Sequence, residues 1–377
     1  MMKFSVNAQE MKAAMSLVNK AIAGKPTLPI MSYVKLEQDA DGNLTLTGGS
    51  EGTFMTLTVP MFEVQDFHPV CIEAAILSDT LGTLGKQNAT FQVDGTSATL
   101  VYSTGHFNFA VQSTDEYPTV QANIEAVDAF TMTATDFSKM ISTCRAYTID
   151  DELRPVMGGV YLDLTKDHLV MAASDGHRMI RKAFPDVKAG GKIGCIVTGQ
   201  TASLLATYQR PVDMTVRLNE RQTVFFAEGF RLVATNINGN YPNYNSVIPN
   251  NNPIRVEVDR STLAQALKRS LTMGNKATAL VKLSLSTYMG GAGQMGIESR
   301  DLDFNRSAEE TIPCTHNHDK PFAIGFKGTF LLDLLATHTT PQVVFELADP
   351  SRAMVVRDAE GGDKDLLTLL MPMMLQD

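Results

Sequence analysis

A chain of 377 residues, 44% hydrophobic and 19% charged, has the composition of a folded globular protein of roughly two to four domains, which excludes a disordered one. The formal net charge of −9 excludes a uniformly basic nucleic-acid binder, although a sum over the chain does not say where the charge lies. No apolar run reaches membrane-spanning length, Met1-Met2-Lys3-Phe4-Ser5-Val6-Asn7 holds no signal-peptide core, and the four cysteines (Cys71, Cys144, Cys195, Cys314) make no paired framework, so a cytoplasmic address and reduced thiols are expected.

In chain order, Phe4-Ser5-Val6-Asn7 alternates as a strand and leads into a helix over Met11 to Ile22. Met11, Ala14, Met15, Val18 and Ile22 share one helical face, and Asn7 with Glu10 has the spacing of a capping box. Asp41-Gly42-Asn43 signals a turn before the alternating run Leu44-Thr45-Leu46-Thr47. Val70-Cys71-Ile72 precedes a helix over Leu77 to Leu84, and Asp94-Gly95 a strand at Ala98 to Tyr102. Phe130-Thr131-Met132-Thr133 then repeats the opening pattern into a helix over Phe137 to Tyr147, with Phe137, Met140, Ile141 and Cys144 inward. Cys195-Ile196-Val197 leads to a helix over Leu204 to Tyr208, followed by a strand at Thr223 to Phe226. Ile254 to Asp259 opens the third round, with a helix over Leu263 to Met273 and a strand at Lys282 to Leu285. After the Gly290-Gly291-Ala292-Gly293 loop come Phe322-Ala323-Ile324, a helix over Phe330 to Leu335 and a strand at Val343 to Leu347.

The three openings recur at about 125 residues, an ordinary domain length. The expectation is an α+β fold of three repeated domains, each with two helices packed on antiparallel sheets, spanning 1–126, 127–250 and 251–377. Links fall near Tyr117-Pro118-Thr119-Val120 and Tyr241-Pro242-Asn243-Tyr244.

The outer faces of the helices look basic. Lys12, Lys20 and Lys25 belong to the first, Lys139 and Arg145 to the second, and Lys268, Arg269 and Lys276 to the third. The intervening helices add Lys86, Arg210 and Lys327, with Asp333 the exception. Macrodipole complementarity explains Lys25 and Lys86 at helix ends, and Asp136 and Asp259 at helix starts. It does not explain Lys12, Lys139 and Lys268, which leaves open a shared positive surface able to hold a phosphate backbone without reading sequence.

Three stretches suggest chemistry. Ser174-Asp175-Gly176-His177 offers triad residue types, but a triad converges from distant positions and Gly-X-Ser-X-Gly is absent, so a β-turn is the better reading. Cys314-Thr315-His316-Asn317-His318 has metal-binding donors but no second cluster, and flanking prolines suggest a loop. Cys71 and Cys195 sit at matching places in two repeats, as buried structural thiols would. No catalytic residue, metal or cofactor is expected. The terminal run Leu366 to Leu375 is apolar apart from Thr368; a strand explains it as far as Leu370, and Pro372 stops the ladder, leaving a methionine-rich patch suited to adaptable binding.

Over essentially its whole length the sequence resembles the bacterial replicative sliding clamps, the beta subunits of DNA polymerase III. The resemblance is carried by Gly24-Lys25-Pro26-Thr27-Leu28-Pro29-Ile30, Ser174-Asp175-Gly176-His177-Arg178, Tyr241-Pro242-Asn243-Tyr244-Asn245-Ser246-Val247-Ile248-Pro249 and Met371-Pro372-Met373, with Glu152 to Gly159 a looser match. It implies a head-to-tail homodimeric ring around duplex DNA, a processivity factor and not an enzyme. Implied partners are the clamp loader, replicative and repair polymerases, ligase and mismatch-repair proteins, bound through a short peptide motif.

The family's peptide groove carries over to Met157, Ser174, Gly176, His177, Arg178 and Met179. It takes Pro242 and Val247 from the second link, and Met354, Leu369, Leu370, Met371, Pro372 and Met373 from the last third. Lys25 and Arg154 match as DNA contacts, and the implied dimer contact sets Phe107 and Phe109 against Leu271 and Met273 of the partner chain. The sequence departs from the family at Met374, where a basic residue is common, at Ser174 for threonine, and at Asn245-Ser246 for a basic pair.

Overall fold

A computed structural model describes residues 1–50, 52–118, 122, 128–188, 190–287 and 293–375. The expected link at Thr119-Val120, the first domain boundary at 126/127, the loop residues Gly290 to Ala292, and Gln376-Asp377 lie outside them.

Among the described residues there are six α-helices: α1 (Ala8–Ala21), α2 (Ala74–Thr83), α3 (Ala134–Arg145), α4 (Gly199–Leu205), α5 (Arg260–Met273) and α6 (Gly328–Thr337). Each begins at the residue after a strand ends, the strands being Met2–Asn7, Val70–Glu73, Asp128–Thr133, Ile193–Thr198, Ile254–Asp259 and Phe322–Lys327. The same α+β unit therefore recurs three times, with two helices and antiparallel strands in each.

The helix starts follow capping chemistry. Asn7 Oδ1 accepts from the N–H of Gln9 and Glu10, Thr133 Oγ1 from Asp136, and Asp259 Oδ1 from Thr262. Thr198 Oγ1 does the same for Thr201, which corrects the helix expected over Leu204 to Tyr208. A cap six residues before the first large apolar side chain starts α4 early, and Tyr208 lies beyond it, stacked on Phe230 at 4.0 Å. Met11, Met15 and Val18 are fully buried on α1, each such burial contributing about 2 kcal/mol. Among the described residues no helix is long and apolar enough to cross a membrane.

The chain parts into two compact units. Unit 1 comprises Met1–Ser142, Leu164–Asp167 and Val187–Asn238; unit 2 comprises Thr143–Asp163, His168–Asp186 and Gly239–Asp377. In unit 1 a sheet of 13 strands among the described residues runs from Asp128–Thr133 to Met61–Gln65. Phe230–Thr235 joins it to the first repeat by pairing Val233 with Phe54. In unit 2 the corresponding junction pairs Arg178–Phe184 with Leu366–Leu370, Met179 opposite Leu369 and Ile180 opposite Thr368. Cys314 to His316 is the end of the strand Arg306–His316, not the loop expected from its prolines; Val258 faces Cys314 and Val256 faces His316.

Candidate functional site

The turn after the strand Leu169–Ser174 is built by Asp175. Its Oδ1 accepts from the N–H of His177 and of Arg178, both at 2.9 Å, and its Oδ2 accepts from Arg178 Nε at 2.9 Å. Ser174 Oγ accepts from Gly176 N–H and donates to the Arg178 carbonyl. Gly176 has φ +89°, the left-handed region where a side chain is strained, and an added Cβ would meet Arg154 Nη1 at 2.9 Å. Asp175 is buried and both of its oxygens are engaged, while the exposed His177 ring lies 6.4 Å from that of Phe330. Asp175 and His177 are turn residues and not a catalytic pair.

The apolar tail forms the adjoining wall. Beyond the strand Leu366–Leu370, Met371 N–H donates to the His177 carbonyl at 2.8 Å, and Met373 N–H to the Gly325 carbonyl at 2.8 Å. Pro372, which has no N–H, sits between these two anchors. Met371 is 41% exposed and Met374 91% exposed, with Pro372 and Met373 half-buried between them.

Beneath lies a core of Val170, Ala172, Met179, Tyr244, Val355, Leu367 and Leu369, against which Tyr161, Tyr241 and Ile248 pack. Tyr244 Oη donates to Asp163 Oδ2 at 2.7 Å, and Tyr241 stacks on Tyr161 at 4.8 Å, which fixes the second link. Pro242 and Val247 of that link are exposed.

Burial sorts the expected groove residues into floor and rim. Met179, Met354, Leu369 and Leu370 are at most 3% exposed and belong to the packed floor. Arg178 is buried too, held by Asp175, by Asp333 Oδ2 at 2.5 Å and by the Ala146 carbonyl at 2.9 Å. The surface is left to Ser174, Gly176, His177, Pro242, Val247, Met371, Pro372 and Met373, with Met157 half-buried in the turn Pro155–Gly158. Unit 1 has a cavity of about 680 Å³ lined by Asp39, Asp41, Arg210 and Glu228, none of them an expected groove residue.

The expected DNA contacts divide into three groups. Lys12 and Lys20 on α1, Lys139 and Arg145 on α3, and Lys268 on α5 are exposed on helices. Lys12 also donates to the Gly82 carbonyl at the end of α2, and Arg145 to Thr148. Lys25, Lys86, Arg210 and Lys276 lie in loops past helix ends and Lys327 caps α6, which corrects their placement on helix faces. Arg154 pairs with Asp151 at 2.9 Å. Arg269 is committed to Glu310 through two hydrogen bonds of 2.9 and 2.7 Å. Asp79, exposed on α2, is a second acidic exception beside Asp333.

Of the expected dimer residues, Phe109 is buried within its own unit and Phe107 stacks on Tyr102 at 5.1 Å. Their strand, Gly105–Gln112, pairs with Val70–Glu73 only at Val111 and Gln112, so Gly105 to Ala110 have a strand on one flank alone among the described residues. In unit 2, Arg306 to Pro313 is flanked by Gly293–Asp301 on one side, its other neighbour beginning at Cys314. Met273 is exposed at the end of α5 and Leu271 half-buried.

Burial pushes the thiols of Cys71, Cys144 and Cys195 up to about 12, so they stay protonated and inert. Sequence reasoning did not select Asp333 as a site residue; its one signal was an acid beyond the first turn of a helix, a signal that Asp79 shares.

Models of the three domains of the DNA polymerase III beta subunit match in order: the N-terminal domain at residues 2–121, the central domain at 131–243 and the C-terminal domain at 245–374. The beta sliding clamp of Synechococcus elongatus is 24% identical, covering 100% of both chains, and that of Bacillus subtilis 22% identical, covering 98% of this chain and 99% of its own. Among solved structures, a Pseudomonas aeruginosa sliding clamp bound to griselimycin superposes with a TM-score of 0.92 at 22% identity, over 99% of this chain and 100% of that one. A Bacillus subtilis clamp does so at 0.91 and 19% identity, over 100% of both.

Proposed function

The chain belongs to the DNA polymerase III beta-subunit family and is a non-catalytic DNA sliding clamp of replication, and from that premise we propose that two copies close head to tail around duplex DNA. Such a ring is retained by topology and not by tight contacts, so it slides while holding a polymerase near its template at high effective concentration. The carrying observation is the set of exposed basic side chains on α1, α3 and α5, opposite each helix's buried face. A positive inner surface on an acidic protein binds phosphate without reading bases and leaves the exterior poor at non-specific binding.

Ring closure pairs the open edge Gly105 to Ala110 of one copy with Arg306 to Pro313 of the next, with Phe107 and Met273 adding apolar contact. Domain boundaries fall near 126 and 250. The ledge of His177, Val247, Met371 and Met373 docks short segments with apolar anchors, from the clamp loader, polymerases, ligase and mismatch-repair proteins, in the cytoplasm. A Pseudomonas aeruginosa clamp is bound to griselimycin, and this chain is expected to take the same compound, for which the ledge is the proposed site.

Loading onto nicked circular DNA, followed by linearisation, tests the ring. Protein should stay on the circle and leave the linear form, and its solution mass should be about twice 41.1 kDa. Equal retention on both forms would end this reading.

A further inference from the structure

Arg178 is held from three directions. Asp175 takes its Nε, Asp333 its Nη1 and the Ala146 carbonyl its Nη2, while its guanidinium lies 5.1 Å from the ring centroid of Tyr147 and 4.2 Å from that of Phe330. Phe330 and Asp333 are one turn apart on α6, and Thr337 a further turn along meets Tyr147 Oη at 2.8 Å. One stripe of α6 thus grips the end of α3 and the Asp175 turn together. At the other end of α6, its C-cap His338 lies 3.0 Å from Thr368 Oγ1 through Nε2. Thr368 is fully buried in the strand that runs into Met371.

We propose that α6 is the positioning element of the docking ledge: Asp333 fixes the turn wall through Arg178, and His338 fixes the tail wall through Thr368. This rests on the ledge being the partner site. The two walls continue the strand pair Arg178–Phe184 with Leu366–Leu370 and close on one further hydrogen bond, Met371 N–H to the His177 carbonyl, and each has a side-chain tie to the same helix. Asp175 cannot do the work of Asp333, because its Oδ1 is spent on two backbone N–H groups and its Oδ2 on Nε. Without the second carboxylate the buried guanidinium keeps Asp175 and the Ala146 carbonyl but loses its partner at Nη1, which loosens it and the Asp175 turn together. The same requirement gives the acid at position 333 a role: Asp333 serves Arg178.

Three measurements on the full chain test this: amide hydrogen exchange, griselimycin affinity and melting temperature. Asp333→Asn should speed exchange at His177 and Arg178 and weaken griselimycin by about tenfold, less than a fully buried pair would lose because Asp333 is half exposed. Asp333→Glu should restore most of the affinity. Thr368→Val, which keeps the shape and loses the hydroxyl, should speed exchange at Met371. Exchange within Phe230–Thr235 of unit 1 should be unchanged in every variant, which a general loss of stability would not leave so. Wild-type exchange at His177, Arg178 and Met371 in the variants, or a uniform rise along the chain, overturns the proposal. If the parent chain itself does not take griselimycin, the ledge reading falls on its own account, and the exchange pattern still decides for or against α6.

Discussion

The backbone N–H of Met371 donates to the carbonyl of His177 at 2.8 Å, tying the last strand of the chain to a turn nearly two hundred positions earlier. Two residues on, Met373 N–H donates to Gly325. Ending the chain at Leu370 removes both anchors and the exposed methionines while sparing the strand Leu366–Leu370. Griselimycin affinity is expected to fall by at least about tenfold, since a few central apolar anchors dominate such contacts. The melting temperature should move by no more than about 2 °C, because the lost residues bury little. Calorimetric titration and thermal melts check both, and an unaltered affinity would remove the tail from the site.

Gly325 gives a subtler handle on the same wall. A Cβ there would stand 2.7 Å from the Met373 carbonyl oxygen and 2.8 Å from Leu375 Cδ2, with Leu280 close behind. Backbone cannot yield as a side-chain tip can, so Gly325→Ala should push the tail off its second anchor at a cost of about 1–3 kcal/mol, the usual range for overpacking. Faster exchange of the Met373 amide, with that of Met371 little changed, is the expected signature. Equal acceleration at both positions would mean that the two anchors act as one.

Periodicity carried the fold further than it carried the site. Of the expected α1 face, Met11, Ala14, Met15 and Val18 are buried while Ile22 is a half-buried C-cap, and the threefold strand–helix rhythm holds among the described residues. The misplaced start of α4 shows the limit, since Thr198 is a cap whose signal precedes the apolar pattern. Spacing also cannot tell a rim residue from a floor residue in an apolar strand, and only burial places Met354 and Leu369 in the floor of the expected groove. Pairings such as Arg178 with Asp333 depend on a contact 155 positions apart, on which local pattern is silent.

Lys268 and Arg269 are neighbours on α5 with different fates. The two hydrogen bonds to Glu310 raise the pKa of Arg269 and hold that of Glu310 below the usual carboxylate range, so this guanidinium is already matched. Lys268→Ala should therefore weaken DNA retention and reduce the salt-dependence slope by up to about 0.9, the contribution of one phosphate contact. Arg269→Ala should leave the slope nearly unchanged. Affinity for a fluorescent duplex measured across a salt series separates the two, and the reverse ranking would mean that Glu310 gives up its partner to DNA.

His338 sets a pH dependence whose sign can be worked out. Its Nδ1 faces Asp358 Oδ1 at 3.1 Å, and a carboxylate only accepts, so Nδ1 carries the proton and Nε2 accepts from Thr368. Burial lowers the imidazole pKa below its ordinary 6.5; Asp358 and Asp363 oppose this, and Arg260 adds to it. Asp358 is itself depressed below its usual 3.8, where burial is outweighed by the hydrogen bond from Thr340 and the proximity of His338, so its stabilisation is fully present above that pH and is lost only in stronger acid. Between 6.5 and the folded pKa of His338 the unfolded chain binds a proton that the folded chain does not, so stability falls as pH falls. One such proton is worth at most about 1.4 kcal/mol per pH unit. Urea unfolding from pH 7.5 to 5.5 should show the parent losing stability more steeply than His338→Gln, although the variant starts lower for want of its hydrogen bonds. Parallel slopes would show that the imidazole does not titrate in this window, and a parent that gains stability on acidification would show that attraction to Asp358 outweighs burial.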